Sequence, residues 1–346
     1  MRILYVGPLM QGGTCLQRLQ VFKELGYSLI SVNSAPNWAM KNIRPPLYYR
    51  VINKFSGPPD FPRANRQIIH LVRQDNFDIL WVDKGLGIKP ATLRKAKELS
   101  PKITIVGYSP DDMGSKHNQS KNFLACLPYY DWYCTTKTYN VQELKDLGCP
   151  RVMFTGNAYD PHTHHPMDLS AEEKKRLGGP VGFIGSYEAQ RAESIYFLAE
   201  NSVRVSVWGD GWARNCKVRN PNLSIMGPSQ YGDDYARIIC SFDICLGFLR
   251  KINRDLQTTR TIEIPACSAF MLAERTSEHL ELFEEGKEAA FFANNEELLE
   301  KVRFYLAHES ERRQVARAGR ERCLRGGYSY HERLKEIMRN IEEYMK

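Results

Sequence analysis

The segment best suited to chemistry runs from Thr258 to Cys267 and has the sequence Thr-Thr-Arg-Thr-Ile-Glu-Ile-Pro-Ala-Cys. Hydroxyl residues followed closely by Glu263 predict the start of a helix. A helix start that carries Thr259 and Arg260 suits a diphosphate, because free backbone N–H groups and the helix dipole attract anions. Glu263 could then accept hydrogen bonds from a ribose diol. The alternative is a carboxylate that only complements the helix dipole.

A second candidate for anion binding lies at Gly182–Tyr187 (Gly-Phe-Ile-Gly-Ser-Tyr), a predicted strand that ends in a turn. The turn at Gly185 and Ser186 presents free backbone N–H groups. Arg191, about a turn into the next predicted helix, carries the planar guanidinium that phosphate oxygens favour. A surface arginine on an amphipathic helix explains Arg191 equally well.

Two further turns follow predicted strands at Gly209-Asp-Gly-Trp212 and at Gly227-Pro228. Turns of this kind could form a slot for a nucleotide base, with Trp212 or Tyr231 stacked on it. Packing of these aromatic side chains in the core is the favoured alternative.

In the N-terminal half, Gly12 and Gly13 separate the first predicted strand from the first predicted helix. Together with Gly7 they do not form Gly-x-Gly-x-x-Gly, and no acidic residue ends the second predicted strand. The sequence therefore disfavours a dinucleotide dehydrogenase. A tight turn and a ligand-binding loop remain equally good interpretations of the glycine pair.

Acid–base chemistry is indicated by Tyr-Ser-Pro-Asp-Asp, which follows another predicted strand and ends at Asp111 and Asp112. His117 lies five residues further along. A carboxylate or imidazole at a strand end is what an acceptor hydroxyl needs for deprotonation. The alternative is that Asp111 caps a turn.

Metal binding is not favoured. His162, His164 and His165 lie close together, but no second group of ligands accompanies them. The nine cysteines are scattered without a Cys-x-x-Cys pair, which is typical of buried thiols in a reducing compartment. We therefore predict no metal site.

The elements that must position these residues alternate along the chain between short apolar runs and helical patterns. This alternation predicts an α/β protein with two Rossmann-like domains and a parallel sheet in each. The predicted domains are residues 1–165 and 166–326, with a charged linker around 160–179 and a final helix at 327–346. Open sheets bind ligands beyond the carboxyl ends of their strands, so we expect the chemistry in an interdomain cleft.

Charge is distributed unevenly over the 346 residues, whose net charge is +8. Residues 1–165 hold 21 Lys and Arg against 12 Asp and Glu, whereas the rest hold 27 against 28. Part of the basic excess lies in residues 38–66, for which a solvated helical insertion and an anion-binding surface are both open. That segment interleaves aromatic and basic residues: Trp38, Lys41, Arg44, Tyr48, Tyr49, Arg50, Lys54, Phe55, Phe61, Arg63 and Arg66. No apolar run is long enough to span a bilayer, so we expect a cytoplasmic protein, with peripheral contact at the inner face of the membrane as an option.

Several segments resemble the GT-B glycosyltransferases, and within them the CgeB-type (spore-maturation-like) group related to glycosyltransferase family 4. The resemblance covers most of residues 100–346, whereas residues 34–75 match nothing that we can place. The segments that carry it are 260–274, 282–288, 296–308, 316–322 and 328–333.

The resemblance implies a nucleotide-sugar donor in the second domain and a last helix that returns to the first. Glu263 matches the glutamate that holds the donor ribose, and Arg191 is similar in placement to the basic residue that binds the diphosphate. Thr259 and Arg260 would add contacts, and the Gly12-Gly13 loop would face the transferred sugar. No metal or cofactor is implied, since the nucleotide-sugar, a UDP-sugar first, is a co-substrate.

One position departs from the family 4 pattern, in which a second glutamate usually stands seven residues before the ribose glutamate. Here Asp255 stands eight residues before Glu263. The pattern at family level is retention of configuration. An inverting enzyme would instead use Asp111, Asp112 or His117 as its base.

The leading hypothesis is transfer of a sugar to a hydroxyl-bearing acceptor, either anionic or presented on a membrane as a lipid-linked or growing glycan. A nucleotide-sugar epimerase on the same fold and a non-catalytic sugar-binding or assembly protein are the alternatives. No motif supports nucleic-acid binding.

Overall fold

The computed structural model describes residues 1–40 and 45–345, with side chains described at all of these except 54–56. Lys41 and Arg44 of the basic, aromatic segment therefore lie outside the described residues, as do the side chains of Lys54 and Phe55. The chain divides into two compact units, one formed by residues 1–156 with the last helix and the other by 157–329. The sequence had placed these boundaries at 165 and 326.

Within its described residues, the first unit has a parallel sheet in the order β2-β1-β3-β4-β5-β6. Its strands are β1 (Arg2–Gly7), β2 (Ser28–Asn33), β3 (Ile79–Asp83), β4 (Thr104–Ser109), β5 (Trp132–Thr135) and β6 (Val152–Phe154). Its helices are α1 (Thr14–Glu24), α2 (Asn37–Met40), α3 (Leu47–Ser56), α4 (Ala64–Gln74), α5 (Pro90–Leu99), α6 (Lys121–Cys126) and α7 (Asn140–Asp146).

The second unit, described throughout, has a parallel sheet in the order β12-β11-β10-β7-β8-β9. Its strands are β7 (Gly179–Ile184), β8 (Val205–Trp208), β9 (Leu223–Gly227), β10 (Phe242–Gly247), β11 (Met271–Glu274) and β12 (Ala290–Phe292). Its helices are α8 (Ala171–Leu177), α9 (Ala189–Glu200), α10 (Trp212–Asn215), α11 (Gly232–Cys240), α12 (Arg260–Ala266), α13 (Ser277–Leu282), α14 (Asn295–Ala307) and α15 (Glu309–Arg325).

The central strands form because their apolar runs are covered on both faces, as parallel sheets require. All five residues of β3 are buried. In β1 the residues from Ile3 to Gly7 are buried, and only the first residue, Arg2, is partly exposed. β1 lies between β2 and β3, with Val6 opposite both Val32 and Val82. The carboxyl ends of the three strands therefore meet at one edge of the sheet.

The last helix, α16 (Tyr330–Met345), belongs to the first unit and packs on α1. Leu334, Ile337, Met338 and Ile341 are buried at helical spacing, which gives α16 one apolar stripe. The predicted α/β class and the returning helix are thereby confirmed.

One predicted linker contains a helix. Residues 160–179 include α8, whose charged sequence Glu-Glu-Lys-Lys-Arg suggested a solvated connection. Ser170 and Glu173 form a capping box, in which each side chain bonds the backbone N–H of the other residue. This reciprocal cap explains why a polar segment starts a helix here.

All nine cysteines lie in the described part of the chain and are free thiols, most of them buried. Burial raises the pKa of the Cys126 thiol to about 12, which keeps it protonated and unreactive near neutral pH. Of the helices in residues 1–40 and 45–345, none is long and apolar enough to cross a membrane.

Candidate functional site

Three glycines at the carboxyl edge of the second sheet are drawn together by backbone hydrogen bonds. The N–H of Gly185, after β7, donates to the carbonyl of Trp208 at 2.8 Å, and the N–H of Gly209, after β8, donates to that of Gly227 at 2.9 Å. Gly209 has φ +146°, and a Cβ there would lie 2.0 Å from the Gly185 carbonyl oxygen. Only glycine permits this approach, so the predicted turns form one compact edge.

Two arginines meet beside the same aromatic ring at this edge. The guanidinium carbons of Arg191, on α9, and Arg260, on α12, lie 5.7 and 5.8 Å from the centre of the Phe183 ring. Arg191 is only 4% exposed, and it donates to the carbonyls of Leu249 and Ser186 at 3.2 Å. Nη2 of Arg191 and Nε of Arg260 are buried, yet no described residue accepts a hydrogen bond from either.

The electrostatics of this pair favour an anion. Burial, and after it the positive charge of Arg260, lower the pKa of Arg191 to about 10. Glu188, whose Oε1 lies 3.6 Å from Nη1 of Arg191, offsets part of this cost. Asp255, the acidic residue eight positions before Glu263, also favours the charged form of Arg191. A bound anion would pair with both guanidinium groups and satisfy their remaining donors.

Glu263, on α12, is buried and held by two side chains. The hydroxyl of Tyr235, on α11, donates to Oε2 at 2.6 Å, and Nε2 of His164 lies 3.8 Å from Oε1. Because Nδ1 of His164 accepts from the N–H of Asp160, its proton is assigned to Nε2, which faces the glutamate. Burial raises the pKa of Tyr235, and the carboxylate raises it further. Glu263 is thus a fixed hydrogen-bond acceptor at the edge that carries the arginines.

Helix α12 begins at Arg260, in the segment where the sequence predicted a helix start, but it is not capped in the usual way. Thr259 precedes the helix, but its side chain makes no capping hydrogen bond. Instead the hydroxyl of Thr261 accepts from the N–H of Thr258 at 3.1 Å and pairs with Nε2 of His279 at 2.9 Å. Nδ1 of His279 lies 2.6 Å from the carbonyl oxygen of Glu274. A buried histidine therefore fixes the hydroxyl that orders the helix start.

We expect acid to destabilise the second unit through His279. Burial lowers its pKa below the ordinary value of 6.5, so below pH 6.5 the unfolded chain binds a proton that the folded chain excludes. Stability should then fall as pH decreases from 6.5 to the folded pKa, by at most about 1.4 kcal/mol per pH unit for one proton. The midpoint of thermal unfolding between pH 7.5 and 5 tests this. His279→Gln should flatten the dependence, and an unchanged slope in that variant would contradict the assignment.

The two aromatic residues of the predicted base slot, Trp212 and Tyr231, lie in different environments. Trp212 is fully buried, donates from Nε1 to the Gly185 carbonyl at 2.8 Å and packs edge-on against Phe183 and Tyr187. The favoured alternative, packing in the core, therefore describes Trp212 in this structure. Tyr231 is 49% exposed immediately before α11 and stays a candidate for stacking.

The predicted acid–base residues of the first unit occupy different environments. Asp112 is fully buried, and its two oxygens accept from Ser115 at 2.6 Å and Asn140 at 2.8 Å. This environment favours a structural role for Asp112 over the predicted catalytic one. Asp111 is half-buried and pairs with Lys84 at 2.8 Å, whereas His117 lies exposed on a 3-10 turn.

The three histidines of the predicted cluster point to different partners. His164 faces Glu263, and Nδ1 of His165 lies 3.1 Å from the Pro166 carbonyl oxygen. His162 is exposed, and its backbone N–H donates to Asp160. The nearness of these residues in sequence therefore does not place the rings of His164 and His165 on a common ligand.

The loop at Gly12 and Gly13 lies where the sequence placed it, between β1 and α1, and Gly12 has φ +71°. Beside it, Asp83, the buried last residue of β3, forms an ion pair with Arg18 of α1 that was not predicted from the sequence. Both guanidinium contacts are 2.9 Å long. Lys84 follows directly. The signal available in the sequence was the position of Asp83 and Lys84 at the end of a predicted strand. The same kind of position had identified Asp111 as a candidate.

These two sheets with their strand orders form the GT-B fold. HepE from Anabaena, in a structure with UDP and glucose, aligns over 99% of this chain and 100% of its own, with a TM-score of 0.63 and 10% identity. A glycosyltransferase from Rickettsia africae aligns over 100% of this chain and 98% of its own, with a TM-score of 0.66 and 14% identity. A putative UDP-N-acetylglucosamine 2-epimerase from Listeria monocytogenes aligns over 100% and 96%, with a TM-score of 0.56 and 12% identity.

The family model described as glycosyl transferase-like matches residues 191–339. The matched segment begins at Arg191 and includes Arg260 and Glu263. None of the curated proteins matches the chain.

Proposed function

We propose that this protein is a glycosyltransferase that moves a sugar from a nucleotide-sugar, a UDP-sugar first, to a hydroxyl-bearing acceptor. The supporting observation is the pair Arg191 and Arg260, two neighbouring cations with unsatisfied buried donors on one ring. A diphosphate has the negative charge and the paired oxygens that two planar guanidinium groups bind. The CgeB-type relation also belongs to this proposal, on the strength of the motifs in residues 260–333.

In the proposed site, Arg191 and Arg260 bind the donor diphosphate and Glu263 accepts hydrogen bonds from the ribose hydroxyls. Gly185, Gly209 and Gly227 let the backbone approach the nucleotide closely. These six positions lie at or beside one edge of the second sheet, where open α/β sheets bind ligands. Ser186 and Thr259 extend the proposed donor site along the same turns.

The reaction forms a bond from the acceptor oxygen to the anomeric carbon and breaks the bond from that carbon to the diphosphate. The two guanidinium groups stabilise the negative charge that develops on the leaving diphosphate, a role that a divalent cation would otherwise fill. We therefore propose a reaction without metal. We favour retention, with the hydroxyl proton passing to the departing phosphate oxygen. Inversion would instead need a general base, for which Asp111 and His117 stay candidates.

Replacing Arg191 by methionine should weaken UDP binding without unfolding the protein. Loss of one or two charge-assisted hydrogen bonds corresponds to about 2–3 kcal/mol, or roughly 30–150-fold in Kd. The free energy of unfolding should change little, since the variant also removes a buried charge that is imperfectly paired. Isothermal titration in EDTA with UDP, GDP, ADP, CMP and dTDP measures the affinities and identifies the base.

Arg313→Met is the matched control, because Arg313 is an exposed arginine of α15 that pairs with Glu309. It should leave nucleotide affinity unchanged. Unaltered affinity in Arg191→Met would contradict the proposed diphosphate site. If none of the five nucleotides binds the wild type at millimolar concentration, a non-catalytic assembly role replaces the proposal.

An epimerase on the same fold remains the second candidate, because a putative epimerase is among the structural neighbours. The two candidates differ in their need for an acceptor. Rearrangement of free UDP-N-acetylglucosamine with no other substrate present would establish the epimerase and overturn the transferase.

A further inference from the structure

α3 exposes an apolar face that nothing in the described structure covers. Leu47 and Val51 stand four residues apart, as do Tyr48 and Ile52, so the four side chains form one continuous patch on the helix. Their exposed fractions are 71% for Leu47, 58% for Tyr48, 49% for Val51 and 39% for Ile52. Single exposed apolar residues are ordinary, but a contiguous patch of this kind marks an interaction surface.

The opposite face of α3 holds the helix to the first unit. The Tyr49 ring is half-buried and lies 4.7 Å from the Trp38 ring and 5.9 Å from the Phe61 ring. Phe61 is itself 45% exposed and stands edge-on to Tyr48 at 5.8 Å. Phe61 thus enlarges the apolar patch, while Tyr49 anchors the helix beneath it.

The charge of the sequence segment that contains α3 has one sign. Residues 37–74 contain seven Lys and Arg and a single acidic residue, Asp60. The Asp60 carboxylate turns toward the start of α4, where it accepts from the N–H groups of Ala64 and Asn65 at 2.7 and 2.9 Å and from the Asn65 side chain. Of the basic side chains that the structure describes in this range, all are exposed: Arg50, Arg63, Arg66 and Arg73.

The helix that carries the patch also lies beside the carboxyl edge of the first sheet. A pocket of about 200 Å³ is lined by Tyr49 of α3, by Pro8 and Ser34 beyond β1 and β2, and by Lys84 beyond β3. Helix α3 therefore forms one wall of this pocket and presents its apolar face outward.

We propose that α3 and Phe61 dock the first unit on an anionic lipid bilayer, with α3 lying in the plane of the membrane surface. Aromatic and aliphatic side chains enter the headgroup boundary while the arginines bind anionic lipids. A nucleic-acid duplex would pair with the arginines but would leave the aliphatic side chains of Leu47, Val51 and Ile52 without an apolar partner. A second copy of this face would bring like charges together. The docking surface goes beyond the proposed transfer reaction and needs no sugar donor.

Co-sedimentation of the full chain with vesicles tests the docking surface. The protein should bind vesicles of equal phosphatidylglycerol and phosphatidylcholine, and bind vesicles of phosphatidylcholine alone at least about tenfold more weakly. Leu47→Ser/Val51→Ser should reduce binding to the anionic vesicles by about tenfold or more. Arg50→Gln should reduce it less and should make it less sensitive to salt.

The matched control is Leu324→Ser, at a 55% exposed leucine of α15 in the second unit, which should bind vesicles as the wild type does. An unchanged far-ultraviolet circular dichroism spectrum and melting midpoint in Leu47→Ser/Val51→Ser exclude unfolding as the cause of lost binding. Equal binding to neutral and anionic vesicles, or no binding to either, overturns the proposal. So does self-association that the double variant abolishes, or duplex DNA binding that Arg50→Gln abolishes and the double variant does not.

Discussion

Replacing Asp83 by alanine is expected to lower the free energy of unfolding by about 3–5 kcal/mol, because it leaves a buried guanidinium without its partner. Arg18 is fully buried and Asp83 is 1% exposed, so water cannot replace the lost contacts. Asp83 also accepts from the Tyr5 hydroxyl at 2.6 Å, and Arg18 lies 4.3 Å from the centre of the Tyr108 ring. The pair thus ties α1 to β1, β3 and β4. Urea unfolding followed by circular dichroism measures the loss.

Two further variants separate the broken pair from the loss of any carboxylate. Arg18→Met/Asp83→Leu removes both charges and should recover much of the stability, since a buried ion pair and an apolar replacement of similar volume are often equivalent. Glu98→Ala removes an exposed partner of Arg94 and Lys95 on α5 and should cause no measurable change. If Asp83→Ala were as mild as Glu98→Ala, the buried pair would have no structural importance.

The fold was predictable because its signals are local. Each buried strand appears in the sequence as a short apolar run, and the runs at β1, β3 and β7 are interrupted by no polar residue before their ends. Parallel sheets require such runs, and alternation with helices then fixes the α/β class. Helix α8 was not predicted, because it is stabilised by a cap at its start and has no apolar stripe that the sequence would show.

The candidate site was predictable only in part, because burial and pairing depend on residues far apart in the sequence. The sequence identified Arg191, Arg260 and Glu263 as candidates, but it contained no signal that the two arginines share the ring of Phe183. It also gave Asp111 and Asp112 the same role, although the structure buries one and leaves the other half-exposed. Which of two adjacent carboxylates turns inward depends on the partners that the fold supplies, here Ser115 and Asn140 for Asp112.

The largest effect on ligand binding is expected from Glu263→Ala. If Glu263 accepts from both ribose hydroxyls, the variant loses two hydrogen bonds to a charged group, about 3–6 kcal/mol in total and therefore more than 100-fold in the affinity for UDP. The Tyr235 hydroxyl would also lose its acceptor at 2.6 Å, so some stability should be lost as well. Glu263→Gln keeps the shape of the side chain and an oxygen for Tyr235, so it separates the loss of charge from the loss of packing.

The ribose role itself is isolated by comparing UDP with 2′,3′-dideoxy-UDP in the same titrations. The wild type should prefer UDP by more than about tenfold, because the analogue leaves the buried carboxylate without its ribose donors. In Glu263→Ala the two ligands should bind almost equally, since neither then finds the acceptor. Glu300→Ala, at an exposed glutamate of α14, should keep the wild-type preference. A preference for UDP that survives in Glu263→Ala would place the ribose elsewhere and leave Glu263 as the buried partner of Tyr235 and His164 alone.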